Sequence, residues 1–344
     1  MGRKATWFLL DKLLILFTIA VLCAAYACRY LPEAPLSGGW LLAGIAVPAL
    51  FAVNSILLIW WLLRGRWFVA LIPVAALVVG ASDIANHLQP PAIHAPMECD
   101  LRIATLNVHA FQHDFSRGLS ARRIASMLRD EQIDIACLQE VVVDADHPFD
   151  YIATRFSDYM PYYVRDLSMC CFSRHPILNH EYVRFPNSNQ SYLRVDVQIG
   201  TRTVRLLSVH LQTSGLASAR QRIRRDYQRE MPIDTLYRLL TDNAVVRASQ
   251  VATVRKVIDS SDLPLLVLGD FNDTPASPTY RTMSRGLTNA FRTAGHGWSG
   301  SFRDLLTIDY ILYNDYFEAT DCYVWRNDRL SDHAPVIAGV RFVR

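Results

Sequence analysis

Charge is scarce in this 344-residue chain, and it is unevenly spread: between Leu13 and Ser82 only Arg29, Glu33, Arg64 and Arg66 carry it. The rest of the chain has ordinary soluble polarity, and the formal net charge of the whole is only +3. That balance excludes a nucleic-acid binder acting through bulk electrostatics. Seven cysteines are present, but their spacing fits neither a zinc motif nor a dense disulfide framework. Cys137 and the Cys170-Cys171 pair lie in strand-like runs and read as small apolar residues, while one disulfide through Cys99 is left open. No internal repeat is visible, and neither Cys23 nor Cys28 follows a convincing lipobox.

What fills the uncharged front is three apolar stretches, Leu13 to Cys28, Trp40 to Leu63 and Trp67 to Ser82. A helix needs about 20 apolar residues to cross a bilayer core, with a range of about 17 to 25. The middle stretch meets this, and Trp7, Phe8, Tyr30, Trp67 and Phe68 extend the other two into the interface. Three spans fit best, with two as the alternative and a cleaved signal peptide as the other reading of the first. Arg3, Lys4 and Lys12 before span one, and Arg64 and Arg66 between spans two and three, put those segments in the cytoplasm. The expected organisation is a transmembrane region over 1–85, a linker over 86–99 and a polar domain over 100–344 outside the cytoplasm. The expected location is a membrane of the bacterial inner type.

The polar part alternates strands and helices. Leu101 to Val108, Ile133 to Leu138, Met169 to Ser173, Tyr192 to Ile199, Val204 to His210, Leu263 to Leu268, Ile308 to Tyr313 and Val336 to Val340 read as strands. Ser120 to Asp130 has helical spacing with Ser120 as its cap, and Ser214 to Lys256 reads as largely helical. Several strands end in polar clusters: Leu138-Gln139-Glu140, Ser208-Val209-His210, Gly269-Asp270-Phe271-Asn272 and Ser331-Asp332-His333. Strand cores tolerate such groups only when these pair with one another or with a metal, so four of them in one domain indicate a site.

With Thr105-Leu106-Asn107 and Ile308-Asp309-Tyr310 these clusters form an ordered set of six that resembles the endonuclease/exonuclease/phosphatase superfamily over about residues 100 to 344. The resemblance implies an α/β fold, a four-layer sandwich of two β-sheets flanked by helices with the site at one end of the sheets. It also implies a divalent-metal-dependent phosphohydrolase cleaving a phosphodiester, a lipid headgroup or nucleic acid, by attack of an activated water. Glu140 is the expected direct ligand of Mg²⁺ or Mn²⁺, with Asn107 beside it and Asp332 binding directly or through water. His333 is expected on the scissile phosphate with Asp309 holding its other ring nitrogen, and Asp270 is the alternative base. Asn272 and His210 would donate to non-bridging oxygens, Asn189 resembles an amide used near the phosphate, and Arg247 is the arginine expected to face substrate.

His109 departs from the pattern, standing where several superfamily nucleases carry an acid. The arginines of 214–255 read either as a solvated helix face or as a patch for phosphate or anionic lipid. Trp298, Phe302, Tyr316 and Trp325 read as core aromatics or loop anchors. The implied partners are the bilayer and the phosphodiester, with no obligate protein partner evident. The competing reading is a catalytically silent membrane scaffold, against which stand Glu140, Asp270 and His333, all present.

Overall fold

A computed structural model describes residues 9–20, 23, 38–91, 98–114, 116–215 and 232–343. Two compact units emerge, Met1–His87 with Ser214–Val245 and Thr274–Arg281, and Leu88–Thr213 with Val246–Asp273 and Thr282–Arg344. In the first unit, helices α1 (Gly38–Leu63) and α2 (Trp67–Ile84) are long and apolar enough to cross a membrane. Within the windows that qualify, Ala46–Leu63 and Trp67–Ile84, only 28% and 22% of residues are buried. Phe68, Leu63 and Val78 are exposed. Val47, Leu50 and Phe51 of α1 form a small core with Ala276, against which Leu77 and Ile84 pack. The first expected span, residues 13–28, falls partly outside the described residues, as do Arg220, Arg222, Arg224, Arg225 and Arg229.

The second unit holds two six-stranded sheets. Its strands in chain order are β1 (Leu88–Gln89), β2 (Leu101–Asn107), β3 (Ile135–Gln139), β4 (Tyr162–Asp166), β5 (Met169–Ser173), β6 (Ile177–Arg184), β7 (Ser191–Ile199), β8 (Arg202–His210), β9 (Leu265–Asp270), β10 (Thr288–Asn289), β11 (Gly297–Trp298), β12 (Asp309–Tyr313), β13 (Phe317–Val324) and β14 (Val336–Phe342). One sheet runs β10-β12-β9-β8-β7-β6, the other β13-β14-β2-β3-β5-β4. Their facing sides form one core: Leu101, Ile103, Ile135 and Cys171 of one meet Leu193, Val195, Leu206 and Leu268 of the other. Alternate residues turn outward, where Ala104, Leu106 and Leu138 pack on Ala121, Ile124 and Leu128 of α3 (Arg117–Asp130). That alternation makes a sandwich of sheets with helices outside, the expected fold class.

Several local expectations move. The cap of α3 is Ser116, whose Oγ accepts the Leu119 N–H at 3.2 Å, one turn before the expected Ser120. Ser120 instead is buried and exchanges hydrogen bonds with Asp114. Strands β4, β6 and β13 were not anticipated, and β6 is largely solvent-facing, so it carries no apolar alternation to read. Within the expected linker, Leu88 and Gln89 pair with Trp298 and Gly297. Cys99 is free. Of the basic segment, Ile233–Asp259 is helical (α4), and its Arg238 is an exposed partner of Asp234.

Candidate active site

Strand direction explains why residues far apart in sequence share one place. Strands β2 and β3 are parallel, with Asn107 in register with Gln139, so Asn107 and Glu140 leave adjacent strand ends. Strands β8 and β9 are also parallel, which aligns His210 with Asp270. Strand β12 runs antiparallel to β9 and starts at Asp309, opposite Asp270. Strand β14 runs antiparallel to β2, so the Ser331-Asp332-His333 run preceding it arrives at the Asn107 end. Gly269 lets this happen: with φ +132° its backbone lies where a Cβ would meet the Val209 carbonyl oxygen at 2.0 Å.

Side chains then link the two sheets. Asn107 Nδ2 donates to Glu140 Oε1 at 2.9 Å and to Asp270 Oδ2 at 3.1 Å. His210 Nε2 lies 3.6 Å from Glu140 Oε1 and 3.9 Å from Asp270 Oδ2. Burial, outweighing the pull of Glu140, holds this imidazole below its ordinary value and therefore neutral. Beneath the site, Gln139 Nε2 donates to Thr105 Oγ1 and Ser208 Oγ, both at 3.1 Å, a buried polar thread from one sheet to the other. Such a thread fixes how the two strand ends face each other.

The expected imidazole–carboxylate pair is present. His333 Nδ1 meets Asp309 Oδ2 at 2.8 Å, and the same oxygen accepts the Ser301 hydroxyl at 2.6 Å. Burial alone would lower the His333 pKa, but Asp309, and after it Asp270 and Asp332, carry it up to about 10. Its Nε2 faces Asp270 Oδ2 at 3.9 Å. Burial, then the negative charge of Asp309, pushes the Asp270 carboxyl up to about 7, despite hydrogen bonds from Asn107 and the Asn272 N–H. A fixed imidazolium therefore stands beside a carboxyl that can exchange a proton near neutrality.

Two groups of donors could hold a cation, and their chemistry differs. Asp270, Asp309 and His333 offer ligand atoms within 4.8 Å of one another, but they are buried and Asp309 and His333 are spent on each other. Glu140 and Asp332, with side chains 36% and 28% exposed, are open to solvent. Hard carboxylate oxygens open to water suit a divalent ion that keeps part of its hydration. The Asn107 amide turns its Nδ2 to Glu140 and its Oδ1 to the His109 N–H at 3.0 Å, so it would join them as a ligand only with the amide reversed. Four carboxylates (Glu140, Asp270, Asp309 and Asp332) converge here, so the charge balance also favours a cation.

The remaining expected residues are placed less uniformly. Asn272, at φ +53°, donates its amide to the Leu211 carbonyl at 3.0 Å while its N–H bonds Asp270 Oδ1, so it shapes the turn around Asp270. Asn189 accepts from Arg184 and lines a separate surface hollow of about 390 Å³, two residues before the β7 end that pairs with His210. Arg247 does not face the cleft. It is 3% exposed, pairs with Asp273 at 3.2 Å and donates to the Gln212 carbonyl at 2.8 Å, bracing the chain after Asn272.

His109, which the sequence marks only as a departure from the pattern, takes part as well: its Nδ1 lies 3.2 Å from Asp332 Oδ1. Burial works to raise the Asp332 pKa, but the His109 hydrogen bond and the charge of His333 hold it below the ordinary value. A signal existed in its position two residues after Asn107, where a left-handed backbone run begins. Of the ten described non-glycine residues with positive φ, seven border this region: His109, Ala110, Phe111, Glu140, Asn272, Arg303 and Asp304. Each such conformation costs about 1 to 3 kcal/mol and persists only where surrounding structure enforces it.

Comparison with known proteins adds an independent line. A family model described as Endonuclease/Exonuclease/phosphatase family matches residues 104–333. A domain of unknown function (DUF8431) matches residues 11–87. No curated protein matches the chain. The crystal structure of an endonuclease/exonuclease/phosphatase from Beutenbergia cavernae DSM 12333 is 23% identical, with a TM-score of 0.53, covering 71% of this chain and 72% of that one. Sphingomyelinase C from Streptomyces griseocarneus is 19% identical at a TM-score of 0.50, over 70% of this chain and 98% of the other. D. rerio TDP2, complexed with a single-strand DNA product, is 15% identical at 0.53, over 70% and 98%. At these identities the likeness is one of fold.

Proposed function

Since the chain belongs to the endonuclease/exonuclease/phosphatase family, matched over residues 104–333, we propose that it is a membrane-anchored, divalent-metal-dependent phosphohydrolase that cleaves a phosphodiester with water. The observation that carries this reading is the Asp309–His333 pair at 2.8 Å with Asp270 facing its far nitrogen, beside the open Glu140 and Asp332 carboxylates.

The residues divide the work by their charge. His333, held as a cation, donates from Nε2 to a non-bridging phosphate oxygen as negative charge builds there. Asp270, near half-ionised at neutrality, takes the proton of the attacking water as the new P–O bond forms and the bond to the leaving oxygen breaks. Asp309 keeps the imidazole charged and oriented, and Asn107 holds Glu140 and Asp270 in place. Glu140, Asp332 and Asn107 would hold Mg²⁺ or Mn²⁺, which when bound neutralises phosphoryl charge and stabilises the leaving alkoxide. The anchor is read from α1 and α2, with Arg64 and Arg66 between them on the cytoplasmic side and the catalytic unit beyond α2 outside.

The test is hydrolysis of bis-p-nitrophenyl phosphate by the purified full-length chain with Mg²⁺ or Mn²⁺. Activity should appear, stop with EDTA, and fall on the order of 10²- to 10⁴-fold in Asp270→Asn. Undiminished turnover in both Glu140→Ala and His333→Ala would remove the assignment.

A further inference from the structure

Beside His333 opens a cavity of about 710 Å³ that the reaction scheme above does not use. Its walls include Asp332 and His333, the loop carrying Arg303 and Asp304, and the segment from Trp325 to Arg329. The loop is fixed to the catalytic residues by its backbone. The Arg303 N–H donates to the Asp332 carbonyl at 2.9 Å, and the Ala334 N–H donates to the Ser301 carbonyl at 2.7 Å. The turn closes through Phe302 N–H to the Leu306 carbonyl at 2.9 Å, with Arg303 at φ +49° and Asp304 at φ +58°. Aspartate tolerates the left-handed region, but an arginine there is a costly way to build a tight turn.

The strained turn delivers one arginine to one place. The Phe302 ring packs on the His333 imidazole with centroids 4.9 Å apart, and the Arg303 guanidinium lies 5.2 Å from the Phe302 ring centre. Imidazole, phenyl ring and guanidinium thus form a continuous series leading from the catalytic histidine into the cavity. Charge pairing on the walls then singles Arg303 out. Asp304 is shared by Arg326 at 3.4 Å and Arg329 at 3.6 Å, and Asp328 is held by Arg123. Asp332 is engaged by His109. Among the described residues no carboxylate pairs with Arg303, whose only side-chain partner is the Phe302 ring. A planar guanidinium held over an aromatic face, with its donors free, suits bidentate capture of phosphate or carboxylate.

The geometry points to Arg303 as a substrate-binding residue, and to a substrate that carries a second anionic group, a phosphate or carboxylate, adjoining the scissile phosphodiester. This rests on the phosphodiesterase reading but narrows it, because a phosphodiester whose neighbouring group is cationic, as in a phosphocholine headgroup, would meet an unpaired arginine.

Two chromogenic esters that undergo the same cleavage separate the possibilities: thymidine 5′-(p-nitrophenyl phosphate), and the same molecule with an added 3′-phosphate. The full-length protein with Mn²⁺ should show a KM about tenfold lower for the 3′-phosphorylated ester, the scale of one charge-assisted contact. Arg303→Ala should bring the two KM values together, and Arg303→Lys should leave an intermediate ratio, since a point charge replaces a fork. Equal KM values in the wild type, or a ratio that survives in Arg303→Ala and Arg303→Gln alike, overturns the inference. So does a wild-type preference for p-nitrophenyl phosphorylcholine over bis-p-nitrophenyl phosphate. If no ester is hydrolysed, the phosphodiesterase reading fails separately, and calorimetric titration still decides this one. Thymidine 3′,5′-bisphosphate should bind about tenfold tighter than thymidine 5′-monophosphate, with the difference lost in Arg303→Ala. Equal binding of the two nucleotides overturns it.

Discussion

Asp309 uses one oxygen for both of its side-chain contacts, His333 Nδ1 at 2.8 Å and the Ser301 hydroxyl at 2.6 Å, while its buried Oδ1 has no hydrogen-bond partner. An anion so placed acts chiefly through charge, and with Asp270 and Asp332 behind it, it raises the imidazole from 6.5 to about 10. A folded-state pKa above the unfolded one means that protonation stabilises the fold. That stabilisation is complete below the unfolded value of about 6.5 and is lost as pH rises through about 10. In the metal-free protein, Asp309→Asn keeps the shape and removes the charge. The His333 ring resonances, followed by NMR, should then titrate well below the wild-type value, and thermal stability should lose most of its decline on the alkaline side. Turnover of the metal-loaded variant should fall on the order of 10²-fold or more, because the imidazole is no longer held as a cation. An unshifted His333 titration would separate Asp309 from this role.

At the scale of elements, the site was legible wherever an apolar strand ended in a polar group. Asn107, Glu140, His210, Asp270 and Asp309 were readable because their strands are buried throughout in β3, β9 and β12 and over the residues next to the site in β2 and β8, so each terminal polar group stood out. The parallel pairing of β2 with β3 and of β8 with β9 is what turns those separate endings into one place. Loop contributions were not legible. His109 reaches Asp332, and Arg303 reaches the cavity, through left-handed backbone that nothing in the sequence around them announces. Arg247 was misplaced because its partner Asp273 follows Asn272 directly, and a bracing arginine has the same sequence signature as one facing substrate. Gly269 offers the sharpest test of the element-level argument. A methyl group there would meet the Val209 carbonyl at 2.0 Å on a backbone that L side chains rarely adopt. Gly269→Ala should lower the thermal midpoint by the equivalent of about 3 kcal/mol or more and displace Asp270, whereas Gly200→Ala, which meets no atom within 4 Å, should cost only its φ +58° strain. Equal midpoints for the two variants would mean that β8 and β9 separate at little cost.

For the molecule as a whole, if α1 and α2 anchor it as proposed, the side of the membrane that the proposed chemistry occupies decides which phosphodiesters can reach it. The first apolar stretch does not decide that side. Arg64 and Arg66 lie between α1 and α2, so if that turn is cytoplasmic, α2 alone carries everything after Ile84 across. The opposing effect is Asp83, near the end of α2. An Asp at a helix centre costs about 2.5 to 3.5 kcal/mol on insertion scales, but a terminal one costs far less. Leu71, Ile72, Val74, Val78 and Val79 present an exposed apolar surface along the same helix, whose insertion would outweigh it. The cysteines are compatible with an oxidising compartment. Cys170, Cys171 and Cys322 are fully buried with pKa values raised above the ordinary thiol, so they hold little of the thiolate that disulfide exchange requires. Alkaline phosphatase fused after Arg344 should therefore be active in a bacterial host, and green fluorescent protein at the same position should be dark. The opposite pair of results would keep the catalytic unit in the cytoplasm, where α2 would have to lie along the membrane, and would make intracellular nucleic acid the substrate to test first.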